Sequence, residues 1–400
     1  MSSLGVYIHI PYCLQRCTYC DFATYVHTEI RPPQDYVKLV KKEISIQKQL
    51  FQPQPLTTLY FGGGTPSLLP AVLIVELIQE LAKFGYTTGP QTEITIEINP
   101  ATIDEKKLEV YLKAGVNRFS VGAQTFADRL LKMVHREHNA QQTRETLRLL
   151  QKYNLNYSFD LLFAMPTQTL GELRQDLEIA VELGAKHISP YCLTVPEGHP
   201  LSKNRPLEEE QIEMFQNIDQ ALLKSGFQQY EISNYALKGF ESKHNLLYWT
   251  DEEFWGLGLS AHSYKKTNFT SFDDNTWGSR FWNINSLDVY ARQIENHNTQ
   301  SSLQNLQKLK QIEILRLHQA LTDFCHTSLR LSSGLNLDQL QQKFAGPLLK
   351  DILEKIKTLA QPLVSRGLFL AHQNSYVLSE AGRLISNQIF EKFTFLEDEI

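Results

Sequence analysis

The sequence predicts an α/β protein: an incomplete parallel (β/α) barrel of about six units, joined to a small C-terminal winged-helix-like domain. Three observations carry this. From residue 4 to about residue 235, short β-rich runs alternate with longer amphipathic segments, as in a parallel sheet crossed over by helices. The residues best suited to chemistry sit directly after the β-rich runs. Beyond residue 300 the periodicity becomes helical, interrupted by one hairpin. With 42% hydrophobic and 21% charged residues in 400, usage is ordinary for a globular chain, which excludes disordered and fibrous classes.

The strand candidates are residues 4–10, 57–61, 92–98, 118–121, 157–163 and 187–193, with a candidate seventh at 229–232. Helix-period segments at 35–50, 71–84, 140–153 and 171–183 lie between them. Strands separated by single helices pair in parallel through right-handed crossovers. Six units fall short of the eight that close a barrel. In such an architecture the carboxyl ends of the strands share one mouth, where chemistry is built. Cys13, Cys17 and Cys20 follow the first run, and Gly-Gly-Gly-Thr-Pro (62–66) follows the second. Glu97, Asn99 and Pro100 end the third, Gln124 follows the fourth, and Asp160 lies in the fifth.

The expected division is residues 1–238 for the partial barrel, 239–299 for an irregular aromatic segment packed on it, and 300–400 for the C-terminal domain. The middle segment contains His-Asn-Leu-Leu-Tyr-Trp (244–249) and Gly-Leu-Gly-Leu-Ser-Ala-His-Ser-Tyr (256–264). Helical periodicity follows at 306–321, 337–344, 348–365 and 380–393, with a hairpin at 368–378. From residue 301 onward there are 11 Lys or Arg and 10 Asp or Glu. The domain therefore lacks the basic footprint of a nucleic-acid reader and reads as a packing or lid domain. The net charge of −5 gives the molecule as a whole no attraction for nucleic acid or anionic lipid.

The first residues show no basic segment ahead of an apolar run, and no window approaches 18 uninterrupted apolar residues. Neither a signal peptide nor a membrane span is expected. The expected location is a reducing cytoplasm, with a peripheral membrane encounter left open. There, a cysteine cluster reads as a metal or redox site rather than a disulfide staple. Cys13, Cys17 and Cys20 form CxxxCxxC in a loop opened by Pro11. Thiolates are soft donors that select zinc, cuprous copper or iron-sulfur clusters. Structural zinc wants four ligands, and Cys192 and Cys325 stand alone, so a zinc site would need a remote histidine. Three thiolates without a fourth suit a [4Fe-4S] cluster with one open iron. Cys192 and Cys325 read as buried, inert thiols.

This spacing, with Tyr-Ile-His-Ile-Pro (7–11) before it and the glycine run after it, resembles the radical S-adenosylmethionine (SAM) superfamily. The resemblance implies that the open iron chelates SAM and that the reduced cluster cleaves it to a 5'-deoxyadenosyl radical. Further runs narrow it: Glu-Ile-Asn-Pro (97–100), Asn-Arg-Phe-Ser-Val-Gly-Ala-Gln-Thr-Phe (117–126), Asp-Leu-Leu-Phe-Ala-Met-Pro (160–166) and Tyr-Glu-Ile-Ser-Asn-Tyr-Ala (230–236). These are similar to the branch containing oxygen-independent coproporphyrinogen III oxidase and the HemW-type haem chaperones. The implied SAM-binding set is Tyr7, Tyr19, Gly63, Gly64, Thr65, Glu97, Gln124, Arg136, Asp160, Thr194 and His262. Asp160 and Glu97 can accept hydrogen bonds from hydroxyls or an ammonium, and Arg136 can pair with a carboxylate.

Three features separate oxidase from chaperone. The oxidase pattern has a further cysteine two residues after the third, where this chain has Phe22. It also has a substantial segment ahead of the first strand, whereas this chain reaches Tyr-Ile-His-Ile-Pro by residue 7. Third, His-Asn-Leu-Leu-Tyr-Trp matches the chaperone pattern, which implies a haem-related role for His244, with Tyr248 and Trp249 flanking the porphyrin. The resemblance thus implies haem as ligand, haem-accepting proteins as recipients and an electron donor for the cluster. Coproporphyrinogen III decarboxylation stands as the alternative activity. Two departures from the family pattern, Ala164 and Ser263 where glycine is usual, are expected to tighten or block part of the SAM site.

Overall fold

The computed structural model describes residues 3–266, 276–297 and 310–397. Six strands pair in parallel in chain order: β1 (Leu4–Ile10), β2 (Thr58–Gly63), β3 (Glu93–Ile98), β4 (Arg118–Gln124), β5 (Asn156–Phe163) and β6 (His187–Cys192). Their main crossover helices are α1 (Pro33–Gln47), α2 (Ala71–Lys83), α3 (Glu105–Lys113), α4 (Ala140–Lys152) and α5 (Leu170–Glu182), and α6 (Glu208–Lys224) follows β6. Capping boxes fix two starts, Asn139 with Gln142 for α4 and Thr169 with Glu172 for α5. Each satisfies amide groups that a helix start otherwise leaves unpaired.

Strand alternation sorts the side chains. In β1, Leu4, Val6, Ile8 and Ile10 are buried under the helices, while Gly5, Tyr7 and His9 point the other way, as the two-residue period requires. Leu59 and Phe61, Ile94 and Ile96, Phe119 and Val121, and Phe159 and Leu161 join that outer core. Burying each such side chain stabilises the fold by about 1.5–3 kcal/mol. The inner face is unusually polar.

Among the described residues, the sheet continues past both ends of this set and does not close. Beside β6 lie β7 (Gln228–Glu231) and β8 (Asn234–Ala236), with β8 antiparallel to β6 and β7 at the edge. The candidate seventh barrel strand is thus an edge strand, because a two-residue turn returns the chain as a hairpin and leaves no length for a crossover. The seventh parallel strand is β9 (Glu253–Leu257), next to β1. Antiparallel β10 (His262–Lys265), β11 (Ser279–Trp282) and β12 (Gln311–Ile314) extend it to a twelve-stranded sheet. The segment read as irregular therefore contains ordered elements, including α7 (Lys243–Trp249) and α8 (Leu287–Asn296). Its strands of four and five residues are too short for periodicity to reveal.

The helix expected at 306–321 is also revised. Residues 306–309 lie outside the described residues, 311–314 pair with β11, and α9 (Leu317–Arg330) begins later. After it come β13 (Leu335–Asn336), α10 (Leu337–Lys343), α11 (Leu349–Ser365) and the hairpin β14 (Phe369–His372) with β15 (Ser375–Leu378). The order helix, strand, helix, helix, hairpin is that of a winged helix. The helix expected at 380–393 is broken at Ile385 into two short helices. This region has its own core around Phe324, Leu340, Ile356, Phe369 and Phe393.

Candidate functional site

A cavity of about 630 Å³ opens at the carboxyl ends of β1–β6 and runs down the barrel interior, within the range of small-molecule sites. At its upper wall is the cysteine loop. Tyr12–Cys13 bridges Tyr25–Val26, Tyr25 N donates to Pro11 O at 2.8 Å, and His27 N donates to Cys13 O at 2.9 Å. His9 Nε2 holds the loop from beneath through Ala23 O at 2.9 Å. Cys13, Cys17 and Cys20 are half-buried and unbridged, and all three line the cavity. Thr65 Oγ1 approaches Cys13 Sγ at 3.9 Å, and Arg136 donates from Nη1 to Cys17 Sγ at 3.3 Å and from Nη2 to Gly122 O at 2.5 Å. Burial pushes the Cys13 thiol up to about 11 and the Cys20 thiol upward. Among the described residues, no three His, Cys, Asp or Glu side chains crowd together as ligands of a single ion.

The glycine run has a purpose the sequence did not reveal. Gly64 N donates to Ile10 O at 2.8 Å and Thr65 N to Tyr12 O at 2.7 Å, so the run lies flat against the entry to the cysteine loop. A Cβ on Gly64 would sit 2.7 Å from Tyr12 O and 2.8 Å from Ile10 O. Gly63 has φ +108°, and its Cβ would strike the His9 ring at 2.4 Å. The glycines therefore admit the protein's own loop.

Two carboxylates share the cavity. Glu97 accepts from Tyr60 OH at 2.9 Å and from Gly63 N at 3.0 Å. Burial, reinforced by the Asp160 charge, pushes it up to about 7. Asp160 accepts from Ser120 Oγ at 3.2 Å; burial pushes it up to about 6 against the opposing pull of Ser120, Ser189, Arg118 and Arg136. A raised carboxyl makes the ligand-free protein lose stability as pH rises from the unfolded value toward about 7. A ligand donating hydrogen bonds to Glu97 prefers the ionised form, so its binding releases a proton. Affinity for such a ligand is accordingly expected to fall roughly tenfold from about pH 8 to about pH 6. In Glu97→Gln the curve should flatten; an unchanged profile in calorimetric titration would count against Glu97 as the titrating contact.

The predicted residues Tyr7, Tyr19, Gly63, Gly64, Thr65, Glu97, Gln124, Arg136, Asp160 and Thr194 all line this cavity. Gln124 does so from a bulged strand end at φ +68°, a conformation costly for a residue with a Cβ. His262 does not. It is exposed at the start of β10 and stacks on Trp282 at 5.4 Å, because β9 intervenes between β10 and β1.

His244 reaches the cavity from below. α7 plugs the barrel's amino end: Ser242 caps it, and Glu93 accepts Lys243 N at 3.1 Å and His244 N at 3.0 Å. The His244 ring is 1% exposed. Its Nδ1 lies 2.6 Å from Thr58 Oγ1, and its Nε2 lies 2.8 Å from Tyr248 OH. Burial lowers its basicity to about 3. Both nitrogens being partnered, the ring offers iron a position only if the Tyr248 or Thr58 bond opens. Tyr248 lines the cavity, but Trp249 does not flank it: its ring lies 4.5 Å from the Arg330 guanidinium, facing α9.

Three other expectations change. Cys192 is exposed on the cavity rim rather than buried, because β6 ends there, whereas Cys325 is fully buried. Ala164 and Ser263 are buried and outside the cavity lining, so neither blocks it. Ala164 has φ +57°, the region where glycine is free and other residues pay about 1 kcal/mol. Ala164→Gly should therefore change stability by no more than about 1 kcal/mol, in the stabilising direction where relief of strain exceeds the added unfolded-chain entropy. Chemical denaturation checks it; a loss of several kcal/mol would contradict the strain. Sequence reading also missed the lower cavity, lined by Tyr60, Arg118, Ser120, Ser158, His187 and Ser189. The signal was present as polar residues at every second strand position.

Comparisons with known proteins agree with this geometry. The model of the Radical SAM superfamily matches residues 7–180. The heme chaperone HemW of Lactococcus lactis is 31% identical over 97% of both chains, and that of Bacillus subtilis is 30% identical over 97% of this chain and 98% of its own. HemW of Escherichia coli is 36% identical over 66% of this chain and 70% of its own. In fold, the chain is similar to the Escherichia coli coproporphyrinogen III oxidase HemN, a radical SAM enzyme, with a TM-score of 0.79, 21% identity and coverage of 98% and 90%. With cysteine loop, glycine strand and paired carboxylates assembled at one barrel mouth, and likeness running from end to end, the chain belongs to the radical SAM superfamily, in the family of the HemW heme chaperones.

Proposed function

We propose that the protein binds haem and passes it to haem-accepting proteins, with a [4Fe-4S] cluster and SAM supporting the transfer. The superfamily implies the cluster and SAM, and the residues fit both. Three unbridged thiols share one cavity wall, as a cluster held by separate corner ligands needs. Arg136, Glu97 and Asp160 offer one cation and two acceptors to an amino-acid and ribose ligand. When bound, the cluster would supply single electrons. The chain's own residues position the cofactor: Arg136 beside Cys17, Glu97 between Tyr60 and Gly63, and Tyr19 against the apolar wall of Leu130, Leu162 and Met165.

The observation that carries the haem reading is similarity to curated heme chaperones over the whole length, C-terminal region included. Phe22, 63% exposed at the cavity edge, supports it, standing where the oxidase pattern carries cysteine. Among the described residues, no helix is long and apolar enough to cross a membrane. We place the protein in the cytoplasm, with an electron donor reducing the cluster. The test is an anaerobic assay with reductant and SAM, following haem binding and protoporphyrinogen formation together. Haem binding without turnover is the expected result. Catalytic conversion of coproporphyrinogen III would replace this reading with the oxidase.

A further inference from the structure

The lower cavity contains a buried cation, Arg118, set apart from the cysteine loop and from Arg136. Arg118 is 2% exposed and lines the cavity. Its Nη1 donates to Phe240 O at 3.2 Å and reaches Asn156 Oδ1 at 3.5 Å. Among the described residues, no carboxylate lies within ion-pair distance of it. Asp160 is close enough for the two charges to influence each other, but its oxygens are engaged by Ser120 and Ser189. A buried guanidinium without a paired anion is expensive, and the cost is recovered only when an anion arrives.

A second, independent group points to the same occupant. His187 is 1% exposed, lines the same cavity, and among the described residues has no partner for Nδ1. Its Nε2 lies 2.8 Å from Tyr230 OH. Burial holds the ring neutral, so when the tyrosine hydroxyl donates to Nε2, the proton resides on Nδ1 and makes it a donor. Ser158 Oγ donates to Ser120 Oγ at 3.0 Å, so the hydroxyls form a chain beneath Asp160.

We propose that the base of the cavity, built by Arg118 and His187 with Ser120, Ser158 and Ser189, is a receptor for a carboxylate of the bound ligand. A carboxylate suits a planar guanidinium bidentately and still accepts from a neighbouring N–H. Haem, a ligand of the proposed function, carries such groups as its propionates, whereas the methionyl carboxylate of SAM belongs beside Arg136 and the cysteine loop on the upper wall. The proposal rests on the haem-binding reading.

The test uses the anaerobically reconstituted protein and haemin against haemin dimethyl ester, followed at the Soret band, with SAM against decarboxylated SAM, followed by calorimetry, as the control pair. A charge-assisted hydrogen bond predicts a preference for haemin over its ester on the order of 10- to 100-fold. Arg118→Gln should erase that preference while leaving the SAM pair unchanged, and Arg118→Lys should retain some of it. Loss in the haemin pair alone identifies a propionate as occupant; loss confined to the SAM pair overturns the proposal. If Arg118→Gln lowers the affinity of both members of each pair equally, Arg118 is a structural tie to Phe240 and the receptor is overturned. Esterification probes the wild-type protein directly, so misfolding of a variant does not mask the result. Failure of the wild type to bind haemin would sink the haem reading itself, whereas haemin bound with no preference over its ester would overturn the receptor alone.

Discussion

Alanine at Cys13, Cys17 or Cys20 is expected to leave the reconstituted protein without a stable cluster, taking iron from roughly four per chain to near background. As a cluster ligand each thiol would hold a separate corner, and the remaining cysteines are not placed to replace it: Cys325 is buried in the C-terminal core, and Cys192 sits at the end of β6 across the rim. Folding itself should survive, because the loop is tied down by backbone bonds, Tyr25 N to Pro11 O and His27 N to Cys13 O, that alanine retains. Iron analysis together with the thermal midpoint checks this. A full complement of iron in all three variants would show that the ligands lie elsewhere.

The second large effect concerns a residue with no functional group. Gly64→Val should destabilise the protein by at least about 1–3 kcal/mol and also lower cluster occupancy. The atoms that its Cβ would meet, the carbonyl oxygens of Tyr12 and Ile10, are backbone and cannot turn aside. Moving them moves the chain that presents Cys13. Gly89→Val is the control, since its Cβ meets nothing within 4 Å. Equal iron content and equal thermal midpoints in the two variants would refute the close-approach role of Gly64.

Much of this site was legible in the chain because parallel α/β architecture converts sequence position into spatial position. A residue at or just after a strand's end is at the mouth, so the sequence alone groups Cys13, Gly63, Glu97 and Gln124. His262 and Trp249 were misplaced for the opposite reason. They lie in short elements whose neighbours are set by pairing with distant strands, β9 with β1 and α7 against Glu93 of β3. No local periodicity contains that information.

His244 shows the same limit in chemistry. Its motif identified a residue that reaches the cavity, but the sequence could not show both ring nitrogens engaged by Thr58 and Tyr248, one of them 186 residues away. Arg118 was hidden likewise: in sequence it is a charge at the start of a strand, and only burial without a paired carboxylate makes it a candidate receptor.

By itself, the sequence determined the six-unit parallel layout and the ring of polar residues at the strand ends, and it singled out Cys13, Cys17 and Cys20 as candidate ligands, because crossover length, strand alternation and thiol spacing are all local. The sequence also expected an incomplete barrel, but only the tertiary structure decided that the sheet runs on to twelve strands among the described residues, that α7 plugs the barrel, and that the glycine run serves the cysteine loop. Those outcomes depend on which distant backbones come into contact. Contact between residues far apart in the chain is set by the packing of the whole fold.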